Sequence, residues 1–299
     1  MQKIKTAYFG TPDFAAEFLG KILGNSELPI EIVCVFTQPD SRVGRKQVVT
    51  KTPVRELAEQ HGIPVHTDLN NAVEVLKQVD LALLFAYGEI IPPQLLAAPR
   101  FGFWNIHPSL LPKYRGPAPM ATPLLHGDNE TGVTLMQMDE EMDHGPIIAQ
   151  VKSYIFPVWR RDQLEKHLID LGFELFKKVI ESCAPDLSNA PKIDQNHQEA
   201  TVTKRMNRDD GYIPLEDLKN PDPAKKRQIF NMFRAYYPWP GVWTRLRLKA
   251  ADGQADEKRL KLTKIHWEND DLVIKKVQLE GKNEVELKQF EDAYGPLMS

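Results

Sequence analysis

Residues 3–23 read KIKTAYFGTPDFAAEFLGKIL. An apolar-rich run at 3–9 ends in Gly10-Thr11-Pro12, and a helical segment follows at 13–23. Pro12 suits the start of a helix, where the N–H that it lacks has no partner within the helix. A strand passing through a tight turn into a helix is the repeating step of an open α/β sheet.

The same alternation recurs outward from this stretch. Residues 30–37 (IEIVCVFT) form a second strand, and 54–61 a helix closed by Gly62. A short strand at 63–66, a helix at 69–78, a strand at 81–86 (LALLFA) and a fourth strong strand at 101–105 follow. Further strands are expected at 131–136 and 147–151, and a long helix at 161–183 ends the run. Near-continuous apolar strands separated by helices predict a mostly parallel sheet covered on both faces.

Residues 184–206 change character, with Pro185, Pro191 and several Asn and Gln but little periodicity, and read as a connection. Beyond it, short alternating runs at 246–250, 260–267, 271–278 and 284–287 are divided by Asp-Gly and Gly-Lys turns. Such spacing suggests a small β-barrel. The fold class is therefore α/β: a Rossmann-like, mostly parallel domain over 1–184, a linker over 185–206, and a small OB-like β-barrel over 207–299.

Composition narrows the class. The 299 residues are 42% hydrophobic and 26% charged, which suits a soluble globular chain of two ordinary domains. No apolar run approaches the length of a membrane span, and the polar start MQKIKTAYFGTPDF is unlike a secretory signal. Cys34 and Cys183 lie far apart in apolar contexts, which suits a reduced, cytoplasmic protein and supplies no metal cluster. Residues 1–199 carry 19 basic against 25 acidic side chains, whereas residues 200–299 carry 19 against 16. A basic C-terminal third is compatible with a nucleic-acid partner, although a charge excess of this size is usually a solvated face.

The chemistry concentrates in 101-FGFWNIHPSLLPKYRGPAPM-120. Asn105 and His107 fall where a strand ends, the end at which open parallel sheets gather ligands. Positions i and i+2 of a strand share a side, so both polar groups face one site. An acidic loop, 139-DEEMDHGPIIAQ-150, brings Asp143 before a glycine. An amide, an imidazole and a carboxylate suit acyl transfer: the amide donates to a developing oxyanion while the other two move protons. No Gly-x-Ser-x-Gly elbow or nearby cysteine offers a nucleophile, so the attacking group belongs to the substrate. On these residues alone, a loop pair held by local hydrogen bonds is the commoner reading.

NIHPSLLPKYRGPAPM, 127-GDNETGVTLMQM-138 and Asp143-His144-Gly145 together resemble the 10-formyltetrahydrofolate-dependent formyltransferases. More narrowly, the chain resembles the branch acting on methionyl-tRNA, almost end to end. The stretches that carry this are 10-GTPDFA-15, 37-TQPDSRVGRKQVVTKTPVRELAEQHGIPV-65, 86-AYGEIIP-92, 236-YYPWPGVWT-244 and 277-VQLEGKNEVELKQF-290. The resemblance implies Asn105, His107 and Asp143 as the catalytic trio. It implies 10-formyltetrahydrofolate as donor, seated on Phe85, Ala86, Tyr87 and Gly88 and on the turn Ser109, Leu110, Leu111 and Pro112, with no metal. It implies initiator methionyl-tRNA as acceptor, met by the basic loop residues Arg42, Arg45, Lys46 and Lys51 and by the C-terminal barrel. A cytoplasmic monomer with no membrane partner is expected.

Tyr236, Trp239 and Trp243 read as packing residues of a rigid corner rather than as platforms for bases. The chain departs from the family pattern at Met120-Ala121-Thr122-Pro123, after Pro119, and at Met142-Asp143-His144-Gly145-Pro146, where His144 stands beside Asp143. Two other functions compete. One is a formyltransferase acting on an amino sugar nucleotide or other small amine. The second, a non-catalytic tRNA-binding protein, predicts loss of one of the trio, and all three are present.

Overall fold

A computed structural model describes residues 3–43, 47–219, 222–249 and 255–297. Two compact units result. One comprises residues 1–119, 130–154 and 165–203, and the other 120–129, 155–164 and 204–299.

The first unit opens with β1 (Ile4–Phe9), α1 (Asp13–Leu23) and β2 (Ile30–Phe36). A hairpin of β3 (Ser41–Val43) and β4 (Val48–Thr50) leads into α2 (Pro53–Gln60), β5 (Val65–His66), α3 (Ala72–Leu76), β6 (Leu81–Leu84), α4 (Pro93–Leu96) and β7 (Phe103–His107). After α5 (Ala121–His126), which belongs to the second unit, come β8 (Glu130–Gln137), β9 (Ile147–Tyr154) and α6 (Arg161–Cys183). The central sheet has the order β5-β2-β1-β6-β7-β8-β9. Pairings from β5 through β7 are parallel, whereas β8 and β9 add antiparallel.

The local reasons lie in the side chains. β6 is buried at all four positions, as a strand covered on both faces must be. Thr52 caps α2 by accepting the Arg55 N–H, and Pro53 occupies the first helical turn. The helix α1 buries Ala15, Phe18, Leu19 and Ile22, a stripe at three- and four-residue spacing. Consecutive strand residues then serve opposite faces. Phe9 stacks on Phe36 at 4.4 Å and meets Phe103 on one face. On the other, the buried Tyr8 hydroxyl donates to the Ala15 carbonyl, and Phe18 packs on Phe85.

The second unit contains α7 (Leu215–Leu218), α8 (Pro223–Tyr236), β10 (Val242–Lys249), β11 (Ala255–Glu268), β12 (Asp271–Leu279), β13 (Glu284–Glu286) and α9 (Leu287–Tyr294). The four strands make an antiparallel sheet in sequence order, and among the described residues no pairing joins β10 to β13. Where a barrel was expected, this sheet packs against α8, through Phe230 against Trp267, for example. Both α8 and α9 add to the expected strands, and Asp222 caps α8 by accepting the Ala224 N–H. Arg234 is 4% exposed and donates to the carbonyls of Phe156 and Trp159 and to Asn231 Oδ1, which fastens residues 155–164 to this helix. Burial pulls its guanidinium down to about 10. Of the aromatic corner, Tyr236 and Trp243 are buried, but Trp239 is 51% exposed and contributes a carbonyl to Arg161. Among the described residues no helix is long and apolar enough to cross a membrane.

Candidate active site

The strand β7 runs two residues further than its sequence suggests, so both Asn105 and His107 lie within it. It pairs with β6 on one side and β8 on the other, which explains why so polar an end is buried. Asn105 is 7% and His107 4% exposed. Their common side faces Asp143, in the loop between β8 and β9.

Asp143 joins the two. Its Oδ1 accepts the Asn105 amide N–H at 3.2 Å and lies 3.5 Å from His107 Nδ1. Its Oδ2 accepts the Gly116 backbone N–H at 2.7 Å. His107 Nε2 stands 2.9 Å from the Tyr114 carbonyl. Both imidazole nitrogens therefore face oxygens. The second N–H of Asn105 has no protein acceptor among the described residues. Such an amide, held by one N–H and open at the other, is arranged to meet an oxygen that gains charge.

Backbone strain gathers at the same place. Ala86, Tyr114 and Asp143 all take left-handed φ, at 53°, 64° and 52°. For side-chain-bearing residues each costs about 1–2 kcal/mol, which surrounding contacts must offset. The loop bearing Asp143 is closed at its base by Gln137 N–H to the Pro146 carbonyl. Gly145 permits this closure, since a Cβ there would lie 2.1 Å from the Gln137 carbonyl oxygen.

The expected folate seat consists of two backbone segments. At 85–88, Phe85 and Tyr87 are buried, and the Tyr87 carbonyl accepts the Thr11 hydroxyl. Burial, then Glu89, pushes the Tyr87 phenol well above its ordinary value. Gly88 has φ 88°, and a Cβ would come within 2.6 Å of Gln38 Nε2, so this turn needs a bare backbone. At 109–112, the Thr134 hydroxyl donates to the Ser109 carbonyl and accepts from the Leu111 N–H, while Gln150 donates to the Leu111 carbonyl. Ser109 Oγ donates to the Lys113 carbonyl. These bonds fix both segments without a ligand, the kind of preorganised backbone that a flat heterocycle requires.

The basic loop is only partly described. Arg42 is exposed on the hairpin β3–β4, and Arg45 and Lys46 lie outside the described residues. Lys51 is paired with Glu59, which Arg55 also holds. The hairpin exposes Val48 and Val49 beside these cations. His144 does not compete for Asp143, since its Nδ1 pairs with Asp139 Oδ2 at 2.7 Å and its ring stacks on His197. Thr134, Gln150, Arg115 and Gln195 escaped the motif reading of the site. Of these, only Gln195 lies outside the quoted stretches. Among the described residues, no group of His, Cys, Asp or Glu is arranged to hold a metal ion.

Residues 2–180 match the family model described as formyl transferase. The methionyl-tRNA formyltransferase of Roseiflexus sp. (strain RS-1) is 38% identical over 250 residues, covering 82% of this chain and 74% of that protein. That of Geotalea daltonii is 32% identical over 313 aligned positions, covering 97% and 96%. Among solved structures, a 4-N formyltransferase from Francisella tularensis superposes with TM-score 0.62 at 19% identity, covering 86% of this chain and 97% of that one. An N-formyltransferase from Helicobacter canadensis, in complex with folinic acid and dTDP-3-aminofucose, gives 0.61 at 22%, covering 95% and 98%. These two structural likenesses concern the fold, whereas the sequence relatives place the chain more narrowly. It belongs to the methionyl-tRNA formyltransferases, within the formyl transferase family.

Proposed function

We propose that this protein transfers the formyl group of 10-formyltetrahydrofolate to the amino group of methionine on initiator methionyl-tRNA, for the initiation of protein synthesis. The observation that carries the reading is the convergence of Asn105 and His107 on the one carboxylate of Asp143. In this mechanism the amine nitrogen attacks the formyl carbon. The open N–H of Asn105 donates to the formyl oxygen as it becomes an oxyanion. One amine proton leaves as the carbon–nitrogen bond to the folate breaks, and the folate nitrogen gains a proton. Asp143 keeps His107 oriented, so that the pair passes that proton from the amine to the folate nitrogen within a buried site. The donor lies on residues 85–88 and 109–112, and the site uses no metal.

Arg42, with Arg45, Lys46 and Lys51, meets phosphates near the acceptor end of the tRNA. Lys51 trades an exposed partner, Glu59, for this contact, at little cost because surface pairs contribute at most about 1 kcal/mol. The C-terminal antiparallel sheet adds a basic face through Arg245 and Arg247. An amino sugar nucleotide is the competing acceptor, because solved relatives of this fold are sugar N-formyltransferases. The test is formyl transfer by purified protein to methionyl initiator tRNA and, in parallel, to a dTDP-linked amino sugar. Turnover with the tRNA alone supports the reading. Turnover with the sugar alone replaces it.

A further inference from the structure

Gln195 lies beyond the residues matched by the formyl transferase model, in the segment that reads from sequence as a linker. It is 5% exposed. Its Nε2 donates to two main-chain carbonyls of the Asp143 loop, those of Asp143 itself at 2.9 Å and of Gly145 at 2.8 Å. Its Oε1 accepts both Nε and Nη2 of Arg115, at 3.2 and 2.7 Å. This orientation of the amide is forced. A guanidinium has no acceptor and a carbonyl has no donor, so a flipped amide would fail both partners.

Arg115 is itself held. Its Nη2 also donates to His197 Nδ1 at 2.8 Å, and the His197 ring stacks on His144, which is anchored to Asp139 in the same loop. Its main chain bonds to Thr201 and Thr203. The neighbouring Gly116 N–H is the donor that meets Asp143 Oδ2. One short segment, 115–116, thus reaches Asp143 twice: directly at the carboxylate, and through Gln195 at the backbone.

We infer that Gln195, oriented by Arg115, is a positioning residue for the formyl-transfer step, holding the left-handed main chain of Asp143 so that its carboxylate meets Asn105 and His107. The bonds to Asn105 and Gly116 fix only the side chain of Asp143, and the Gln137–Pro146 bond fixes only the loop's base. The amide of Gln195 holds the main chain at 143 and 145, beside the stacking of His144 on His197.

This inference rests on the reading of the site as a formyltransferase centre. The discriminating variant is Gln195→Glu in the full chain. Glutamate retains the acceptor for Arg115 and gains a charge pair with it, so the variant keeps its place, but it sets an oxygen against two carbonyls. Expected are a kcat at least tenfold below wild type, KM for both substrates within twofold, and faster hydrogen exchange in peptides covering 139–146. Gln195→Met, of similar length and uncharged, carries the same test should the glutamate variant fail to fold. A kcat within twofold of wild type overturns the inference, including when the melting temperature falls, because that outcome makes Gln195 only structural. Absence of wild-type turnover with methionyl-tRNA counts against the proposed function instead. The exchange measurement then still decides whether Gln195 holds the loop.

Discussion

Asn105 shows how much one amide depends on its neighbours. Spent on a single carboxylate, one N–H fixes the side chain, and the proposed function assigns the other to the formyl oxygen. Removing such a donor typically costs about 10²–10³ in kcat. Asn105→Ala is expected to lose kcat in this range with KM little changed, and steady-state kinetics with both substrates check it. A loss confined to KM would mean that Asn105 binds ground state and transition state alike. Cys34 offers a pH test unrelated to catalysis. Burial pushes its thiol from near 9 up to about 11, so the folded chain keeps this proton longer than the unfolded chain does. The contribution is complete below about pH 9 and is lost as pH rises through about 11. A difference of this size corresponds to about 3 kcal/mol, and burial of the Tyr8 phenol acts in the same direction. Urea unfolding followed from pH 8 to 11 should show the decline, and Cys34→Ala should make it shallower.

At the scale of elements, the site depends on how closely β8 and β9 approach. A Cβ on Gly132 would lie 2.1 Å from the Val151 carbonyl oxygen and 2.5 Å from Leu110 Cδ2. The first contact is the ladder between the two strands, and the second belongs to the expected folate turn. Gly132→Ala is therefore expected to destabilise the protein by about 1–3 kcal/mol, as overpacking does, and to weaken donor binding by displacing Leu110. Equilibrium unfolding and the KM for 10-formyltetrahydrofolate measure the two effects. Unchanged values of both would show that the strands tolerate a wider spacing here.

For the whole molecule, net charge −3 says little about an RNA partner, but the location of charge says more. Binding to phosphates releases counterions, so affinity falls with salt at a slope near −0.7 to −0.9 per neutralised phosphate. If Arg42 meets the tRNA, Arg42→Ala reduces this slope by about one, whereas a variant of a solvated arginine leaves it unchanged. Filter binding across a salt series distinguishes the two. The unit containing 204–299 also holds 120–129 and 155–164, so the chain passes between units more than once.

The sequence by itself determined the alternation of strands and helices, since apolar runs and turn residues act over a few positions. The long helix α6 has the expected bounds, and Asn105 and His107 share a side because strand periodicity is two. The motifs likewise led to the Asp143 loop. Tertiary structure alone decided which groups complete the site. Gln195 reaches Asp143 across 52 positions from a stretch without periodicity, and Gln150 reaches the Leu111 carbonyl across 39. A lone polar side chain carries no pattern until the chain brings its partner to it. The antiparallel turn of β8 and β9 was hidden for a related reason, because apolar alternation describes which face is buried and not which neighbour a strand will pair with.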